Sequence, residues 1–321
     1  MTRIVCGVDV SSTWLDGSIG RTGTPQRFPN TPSGIAQLAA YCLAHGVALV
    51  AMEATGGYER QAFALLSESG LPVAILNPRS VRQFAQSMGR LEKTDSIDAA
   101  MIAWFAEVNR AQPSTLSQPG QQQLRALVTR LRQLTDLRTA QKNQQRLVDN
   151  PDVQASFTEL LALLKRQIED ISEDIAQRIH ADPLWRELDL AFRTIKGVAD
   201  RTVARIMAEM PEIGTLSNKA VSKLAGLAPL AQDSGRHQGR RAIRGGRAAV
   251  RDLLFIVASV AGRHEPDFIA FRERLAGAGK PPKVVRIALA HKLLVRINAK
   301  AREIRSRLKT TPEPASQPLI S

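Results

Sequence analysis

Two aspartates three residues apart, Asp95 and Asp98, lie where the sequence predicts the start of a helix. Residues at positions i and i+3 share a helix face, so the two carboxylates can point at one place. Converging carboxylates repel each other unless a cation lies between them, and hard oxygen ligands of this kind suit Mg²⁺. Two acids in a first helical turn also interact favourably with the helix dipole. Taken alone, this pair is explained by the dipole, and a metal site requires further acids elsewhere.

Two further acids are found at the ends of predicted strands. The apolar run at residues 4–10 contains Asp9, and a second apolar run at residues 47–53 ends in Glu53. A buried carboxylate is costly unless it is paired or bound to a metal. Together the four acids fit a divalent-metal site that activates an oxygen nucleophile and stabilises a leaving oxygen on phosphorus.

The pattern around these acids predicts an α/β domain. Strands are expected at residues 4–10, at two positions within 14–28, at 47–53 and at 71–76, and helices at 32–45 and 59–69. Alternating strands and helices favour a sheet with parallel members, in which ligands bind beyond the carboxyl ends of the strands. Asp9 and Glu53 are both predicted at such ends.

The motifs that contain the four acids resemble the N-terminal domain of the DEDD-type insertion-sequence transposases. The matching segments are Gly7-Val-Asp9, Met52-Glu-Ala-Thr-Gly56, Asn77-Pro78 and Lys93-Thr-Asp-Ser-Ile-Asp-Ala99. The resemblance implies a RuvC-like domain of the ribonuclease H type. It also implies that Asp9, Glu53, Asp95 and Asp98 are catalytic residues that bind the metal.

Composition indicates a nucleic-acid partner. The 321 residues include 44 Lys and Arg against 30 Asp and Glu, a formal net charge of +14. Arginine predominates, and its planar group of donors binds phosphate. Aromatic residues make up only 4% of the chain, which argues against single-strand binding by base stacking on a sheet.

Cysteine usage and hydropathy bear on localisation. Cys6 and Cys42 are the only cysteines, so a disulfide scaffold is excluded and a reducing compartment is expected. The sequence shows neither a membrane-spanning apolar run nor a secretion leader. A bacterial cytoplasmic, nucleoid-associated protein is the expectation.

The second half of the chain is predicted to be helical. Leucines and isoleucines recur every three or four residues over 121–178, which predicts two long amphipathic helices broken near Asn150 and Pro151. Either a solvated hairpin or a coiled coil that joins subunits or clamps nucleic acid fits this pattern. Residues 192–203 resemble a helix-hairpin-helix, with Ala199 replacing its usual second glycine, and the turn is either a phosphate contact or a packing corner.

Residues 232–251 interleave glycines with arginines, which favours contact with phosphates. A buried helix is expected from 251 to 261, further helices at 267–275 and 282–300, and a disordered tail after 308. The predicted nucleic-acid-binding residues are Arg236, Arg240, Arg241, Arg244, Arg247 and Arg251.

Ser234 lies at the head of this segment in an Asp-Ser-Gly turn, where most serines only form the turn. The transposase resemblance implies that Ser234 is the nucleophile that joins covalently to DNA. It further implies that the acids activate Ser234 across subunits. Arg236, His237, Arg240 or Arg241 could stabilise the charge on the phosphorane.

The predicted organisation is α/β plus all-α. It comprises a RuvC-like domain (1–115), a helical coiled-coil linker (116–185), a helical C-terminal domain (186–308) and a tail (309–321). The implied function is Mg²⁺-dependent transposition of an insertion sequence. The implied partners are DNA, a structured noncoding guide RNA and further copies of the chain, as a dimer or tetramer.

Three alternatives remain open. A Holliday-junction resolvase would use the four acids and water and leave Ser234 dispensable. An actin-like ATPase or sugar kinase would need a second copy of the domain, which the sequence lacks. A non-catalytic nucleic-acid-binding protein would explain the charge but not the acids.

Overall fold

The computed structural model describes residues 3–89, 95–115, 118–231, 233–234, 239 and 241–310, without the side chains of 95–98. The chain divides into two compact units, residues 1–117 and 118–321. Each unit has its own hydrophobic core.

The first unit is built on a five-stranded sheet with the strand order β3-β2-β1-β4-β5. The first three strands form an antiparallel meander, and β4 and β5 continue from β1 as parallel strands. The strands are β1 (Val5–Val10), β2 (Trp14–Ile19), β3 (Gln26–Pro29), β4 (Leu49–Glu53) and β5 (Val73–Leu76).

The central strands carry apolar side chains on both faces of the sheet. Helices therefore cover both faces. Cys6 and Val8 contribute to the core on the face covered by the first two helices, whereas Val5 contributes to the core on the other face. The helices of this unit are α1 (Pro32–Ala44), α2 (Glu59–Glu68), α3 (Pro78–Ser87) and α4 (Asp95–Val108).

Helix α3 was not anticipated in the Arg79–Arg90 stretch. Its start follows from local chemistry, since the Asn77 side chain accepts a hydrogen bond from the Arg79 N–H (2.9 Å) and Pro78 occupies the first helical turn. The helix is amphipathic but rich in polar residues and buries only Val81 fully, so no apolar run marks it in the sequence.

The second unit is a helical assembly. Its two longest predicted helices are confirmed, and the second is capped by Asn150, whose side chain accepts from the N–H groups of Asp152 and Val153. The helices are α5 (Pro119–Gln145), α6 (Pro151–Ala181), α7 (Pro183–Arg193), α8 (Asp200–Glu209), α9 (Asn218–Leu224), α10 (Ala248–His264), α11 (Pro266–Gly277) and α12 (Pro282–Thr310).

The helix predicted over 251–261 is confirmed as part of α10, but its burial is only partial. Helix α10 buries Leu254, Val257 and Ala261, but Ile256 is 66% exposed and Val260 is 39% exposed. The apolar run is longer than the face that the neighbouring helices cover, and hydropathy alone does not distinguish these positions.

The α/β plus all-α fold class is confirmed. Helix α12 continues to Thr310, and the remaining tail, residues 311–321, lies outside the described part of the chain. The boundaries proposed for the linker and the C-terminal domain stay predictions.

Candidate active site

Asp9 and Glu53 lie side by side at the carboxyl edge of the sheet. The last registered pair of β1 and β4 is Val8 with Met52, and the next position in that register places Asp9 beside Glu53. Neighbouring strands are about 4.8 Å apart, and residues at matching positions of parallel strands point to the same face. Both side chains are half-buried. Two carboxylates predicted from separate sequence motifs therefore share one face and one edge.

The beginning of α4 lies at this same edge because the helix runs antiparallel to β1. A Cβ atom at Gly7 would lie 2.0 Å from the carbonyl oxygen of Ala99, so the helix backbone rests directly on the strand there. At the other end, the guanidinium of Arg3, just before β1, donates to the carbonyl oxygen of Ala111, just after α4 (2.9 Å).

The helix backbone thereby brings Asp95 level with Asp9. Asp95 precedes Ala99 by four helical residues, a rise of about 6 Å, and Asp9 follows Gly7 by two strand residues, about 6.8 Å. The side chains of Asp95 and Asp98 lie outside the described part of the structure. Among the described side chains, no group of three Cys, His, Asp or Glu residues is arranged to hold a metal.

A fifth carboxylate, Asp16, stands opposite Asp9 in the register of β1 and β2. Arg27 is opposite Asp16 on β3 and donates to both of its carboxylate oxygens, at 2.8 and 2.9 Å. Residues directly opposite each other in an antiparallel pair share a face. Arg27, Asp16, Asp9 and Glu53 therefore form a row across four adjacent strands, here named the acid row.

Sequence reasoning missed Asp16 because it looked for acids at strand ends. A usable signal was present: Asp16 alternates with the apolar residues Leu15 and Gly17 on a strand predicted to pair with β1. Its partner Arg27 on β3 could not be predicted without knowing the register of β2 and β3.

Asn30 ties together the loops at the carboxyl edge. Its side-chain amide donates to the carbonyl oxygens of Ser11 (2.8 Å) and Tyr58 (3.3 Å), and its backbone N–H donates to the carbonyl oxygen of Thr13 (2.8 Å). Ser11 follows β1, and Tyr58 precedes α2. One side chain thus fixes the segments that leave the strands of Asp9 and Glu53.

The turn after Glu53 is also held from within. The carboxylate of Glu59 accepts hydrogen bonds from the N–H groups of Thr55 (3.0 Å) and Gly57 (2.8 Å) and from the Thr55 hydroxyl (3.2 Å). Burial opposes the ionisation of Glu59, but these hydrogen bonds outweigh it and lower the pKa of its carboxyl group. An ionised Glu59 therefore keeps this turn in one conformation.

In the second unit, Ser234 is exposed on a loop closed by a short β-ribbon. Strand β6 (Pro229–Leu230) pairs antiparallel with β7 (Ala242–Ile243), and the Ser234 loop lies between them. Next to Ser234, both carboxylate oxygens of Asp233 accept from the Arg241 guanidinium at 2.8 Å. This ion pair spans the loop and restricts the backbone that carries Ser234.

The base of the Ser234 loop is packed backbone against backbone. A Cβ atom at Gly246 would lie 2.2 Å from the Gly226 nitrogen, and the Arg247 N–H donates to the Leu224 carbonyl oxygen (2.8 Å). Glycine is required where two main chains approach this closely.

The predicted nucleic-acid-binding arginines divide by their contacts. Arg247 makes a bidentate ion pair with Glu212 (2.6 and 2.7 Å), and Arg251 donates to the Gly245 carbonyl oxygen (2.7 Å). Arg244 is exposed. Arg236, His237 and Arg240 lie outside the described residues. Several arginines of the motif therefore brace the Ser234 loop and its base, a role that composition alone could not distinguish from phosphate binding.

The helix-hairpin-helix is formed by α7 and α8. A Cβ atom at Gly197 would lie 3.0 Å from the Val260 side chain, which packs the turn against α10. Asp200, the first residue of α8, accepts from Arg193 (2.7 Å). A carboxylate at this helix start opposes an approaching phosphate. Of the two interpretations of this turn, these contacts favour a packing corner over a phosphate contact.

Comparison with known proteins places these features in one family. A model of DEDD-type transposases, described as "Transposase", matches residues 6–148, and another, described as "Transposase IS116/IS110/IS902 family", matches residues 189–273. Over 311 residues the chain is 27% identical to the pilin gene-inverting protein of Moraxella bovis, covering 92% of this chain and 94% of that protein. The pilin gene-inverting protein of Moraxella lacunata matches with the same identity and coverage. The Thermus thermophilus RuvC structure matches at 17% identity with a TM-score of 0.25, covering 35% of this chain and 99% of that one.

The matches define a DNA recombinase, and its fold has an α/β N-terminal unit and a helical C-terminal part. The chain belongs to the IS116/IS110/IS902 family of transposases. It is an enzyme of DNA recombination, and DNA is its partner. None of the described helices is long and apolar enough to cross a membrane.

Proposed function

We propose that this transposase cleaves and rejoins DNA strands through a covalent serine–DNA intermediate, with Asp9, Glu53, Asp95 and Asp98 holding Mg²⁺. The observation that carries the proposal is the position of Asp9 beside Glu53 at the edge where α4 begins. The four proposed catalytic acids come from three chain segments, and this arrangement brings the backbones of those segments to one edge of the sheet.

The donor set fits a hard divalent cation. Asp9 and Glu53 offer only carboxylate oxygens, and Asp16 adds a further negative charge that Arg27 offsets. Such a concentration of like charge on neighbouring strands is stabilised by a cation. When bound, Mg²⁺ would neutralise the carboxylates and stabilise charge on the oxygens of the scissile phosphate.

Ser234 supplies the nucleophile in this proposal. Its Oγ gives up its proton and forms a bond to phosphorus, and the bond from phosphorus to the departing strand oxygen breaks. That oxygen takes up one proton and leaves as a hydroxyl, so no proton is gained or lost overall. Rejoining reverses the step with a hydroxyl of the new strand. The exposure of Ser234 and the Asp233–Arg241 ion pair beside it support this role, since a nucleophile must be accessible and well positioned.

Positive charge near Ser234 would stabilise the phosphorane. Arg241 is half-exposed, with 50% of its side chain accessible, and Arg244 is exposed. Arg236, His237 and Arg240 are the other candidates, and Arg247 and Arg251 are proposed to support the loop from its base. Guanidinium groups bind the equatorial oxygens of phosphate in bidentate geometry.

A structured guide RNA and an oligomeric state are part of the proposal. The net charge of +14 supports a second polyanion besides DNA. Helix α5 carries exposed basic residues that could follow a phosphate backbone, and with α6 it forms a hairpin suited to joining subunits. The exposed basic residues on α5 are Arg125, Arg130, Arg132 and Lys142, and the exposed Arg146 directly follows the helix.

The Moraxella relatives are named for inverting a gene, whereas the family is named for transposition. Both outcomes require cutting and rejoining of DNA strands, and they differ in which ends are joined. We therefore propose cleavage and rejoining as the activity, with the arrangement of the ends set by the substrate.

The test is a covalent-adduct assay. The full-length protein is expressed with its native flanking noncoding DNA, incubated with labelled element-end DNA and Mg²⁺, denatured, and examined for label that migrates with protein. We expect an adduct that disappears in Ser234→Ala and in Asp9→Ala. Ser306→Ala and Asp136→Ala, which change exposed residues on α12 and α5, serve as matched controls and should keep it.

One result would change the assignment, and a mixing experiment tests how the subunits are arranged. Cleavage that is lost in Asp9→Ala but kept in Ser234→Ala would indicate hydrolysis by water, as in a resolvase. Mixing the Asp9→Ala and Ser234→Ala proteins tests the arrangement of subunits, because activity returns only if acids and serine from different chains meet.

A further inference from the structure

We propose that Trp14 and Tyr58, here named the aromatic pair, are stacking platforms for unpaired DNA bases beside the acid row. The inference rests on the proposed function, because it places the scissile DNA at that edge. Within the described part of the chain, Trp14 and Tyr58 are the only exposed aromatic side chains, at 43% and 57%. Both lie at the carboxyl edge of the same sheet.

Trp14 is on the face of the acids. Asp9 and Asp16 are opposite each other, and Trp14 precedes Asp16 by two strand residues, so it projects from the same face. It begins β2 just beyond the end of β1, about 6.8 Å along the strand from the rung of Asp9 and Asp16. A nucleotide whose phosphate is at the acids is within reach of this ring.

Arg27 links Trp14 to the acid row. Its guanidinium carbon lies 5.7 Å from the centre of the Trp14 ring, and the same group makes both hydrogen bonds to Asp16. The guanidinium therefore lies over the indole ring, and 57% of the Arg27 side chain stays accessible to solvent. An exposed indole beside a cation favours a partner that is aromatic and negatively charged, as a nucleotide is.

Tyr58 lies in a turn that Asn30 connects to the loop after β1. Its carbonyl oxygen accepts from Asn30, the residue that also binds the Ser11 carbonyl oxygen, and the turn before it is held by Glu59. Ordering these loops in advance reduces the entropy lost on binding. The edge thus carries two exposed aromatic residues on ordered backbone, although the composition alone argued against stacking.

The test is binding without cleavage, measured with the full-length chain carrying Asp9→Asn. The probe is a short single-stranded DNA oligonucleotide, compared with versions in which single positions are abasic. We expect Trp14→Leu and Tyr58→Leu each to weaken binding about tenfold, and Trp14→Phe and Tyr58→Phe to keep most of it. Leu43→Ala, at an exposed residue near the amino edge of the sheet, is the matched control and should bind normally.

The abasic probes distinguish stacking from a general loss of structure. If a ring stacks on one base, removal of that base weakens binding to the same extent, and the Leu variant then has no further effect. Leu variants that bind normally, or that weaken the abasic probe as strongly as the intact one, would contradict the proposal. A loss of binding seen only with an RNA oligonucleotide of the same sequence would also contradict the proposal.

Circular dichroism checks the folding of each variant, and if Trp14→Leu does not fold, Tyr58→Leu decides the test. Crosslinking of 5-bromodeoxyuridine to Trp14 or Tyr58, mapped by mass spectrometry, is an independent measurement. Neither measurement depends on cleavage. The proposal for the aromatic pair can therefore be contradicted while the catalytic proposal holds, and the catalytic proposal can be contradicted while that for the aromatic pair holds.

Discussion

Asp9 on β1 lies directly opposite Asp16 on β2, and Arg27 on β3 holds Asp16 through two short hydrogen bonds. An antiparallel pair of this kind separates the Cβ atoms by about 5 Å, close enough for like charges to destabilise the sheet. Arg27 offsets that repulsion and leaves the Asp9 position compatible with negative charge.

Replacing Arg27 with Gln should lower the free energy of unfolding by about 1 kcal/mol at low salt, because the charge of Arg27 no longer offsets the repulsion between Asp16 and Asp9. The double variant Arg27→Gln/Asp16→Asn should recover most of that loss in urea denaturation. Lys165→Gln, which breaks an exposed pair with Glu169 at 3.8 Å, is the control and should change little. Equal losses in the single and double variants would show that the ion pair does not act through charge.

Gly7→Ala should destabilise the first unit by more than about 2 kcal/mol, because its methyl group would meet the Ala99 carbonyl and the Ala103 nitrogen at 2.0 and 2.4 Å. The helix would have to move away from β1, and the activity should fall with it. Thermal unfolding and the adduct assay measure the two effects. Gly277→Ala, at the end of α11 with no atom within 4 Å of the new methyl group, should be neutral or slightly stabilising. A normally active Gly7→Ala protein would contradict the close contact.

Gly245 and Gly246 form a matched pair at the base of the Ser234 loop. Both have positive φ, 72° and 66°, so alanine is strained at each by about 1 kcal/mol. Only Gly246 also faces the Gly226 backbone at 2.2 Å, whereas the Gly245 position is open. We expect Gly246→Ala to reduce adduct formation at least tenfold more than Gly245→Ala. Equal activity in the two variants would mean that this contact does not position the loop.

Glu212 should make the second unit sensitive to acid. Burial opposes its ionisation, but the hydrogen bonds and charge of Arg247 outweigh this effect and lower the pKa of Glu212 below its ordinary value of 4.5. A lowered folded-state pKa contributes stability above the ordinary value, and that contribution is lost as the pH falls through the folded value. The difference in unfolding free energy between wild type and Glu212→Gln should therefore be largest near neutral pH and shrink below about pH 4.5. A difference in unfolding free energy that does not vary with pH would contradict this prediction. The variant Glu169→Gln is the control for the loss of an exposed charge.

Several elements could be predicted from local pattern. The apolar runs that form β1 and β4, the Pro151 start of α6 and the leucine periodicity of α5 are signals contained within short stretches of chain. Whether these elements form does not depend on residues that are distant in the sequence. Helix α3 and the exposed face of α10 were missed because burial depends on which neighbours cover a surface, and hydropathy does not record that.

The candidate site shows the same division. Asp9, Glu53, Asp95, Asp98 and Ser234 were selected from motifs, and their roles stay proposals. Asp16 was not selected, since its importance depends on standing opposite Asp9 and beside Arg27. The aromatic pair was hidden for a similar reason: a composition of 4% aromatics does not indicate which rings are exposed or where in the fold they lie.

The sequence by itself determined the chemical types available to this transposase, the order of most of its strands and helices, and its strongly positive charge. Tertiary structure decided which charges are neighbours. Strand register set Arg27, Asp16, Asp9 and Glu53 in one row, and the packing of α4 on Gly7 brought the start of that helix to the same edge. Register and packing are relations between distant segments, and they are established only when the chain folds and those segments bury their apolar faces together.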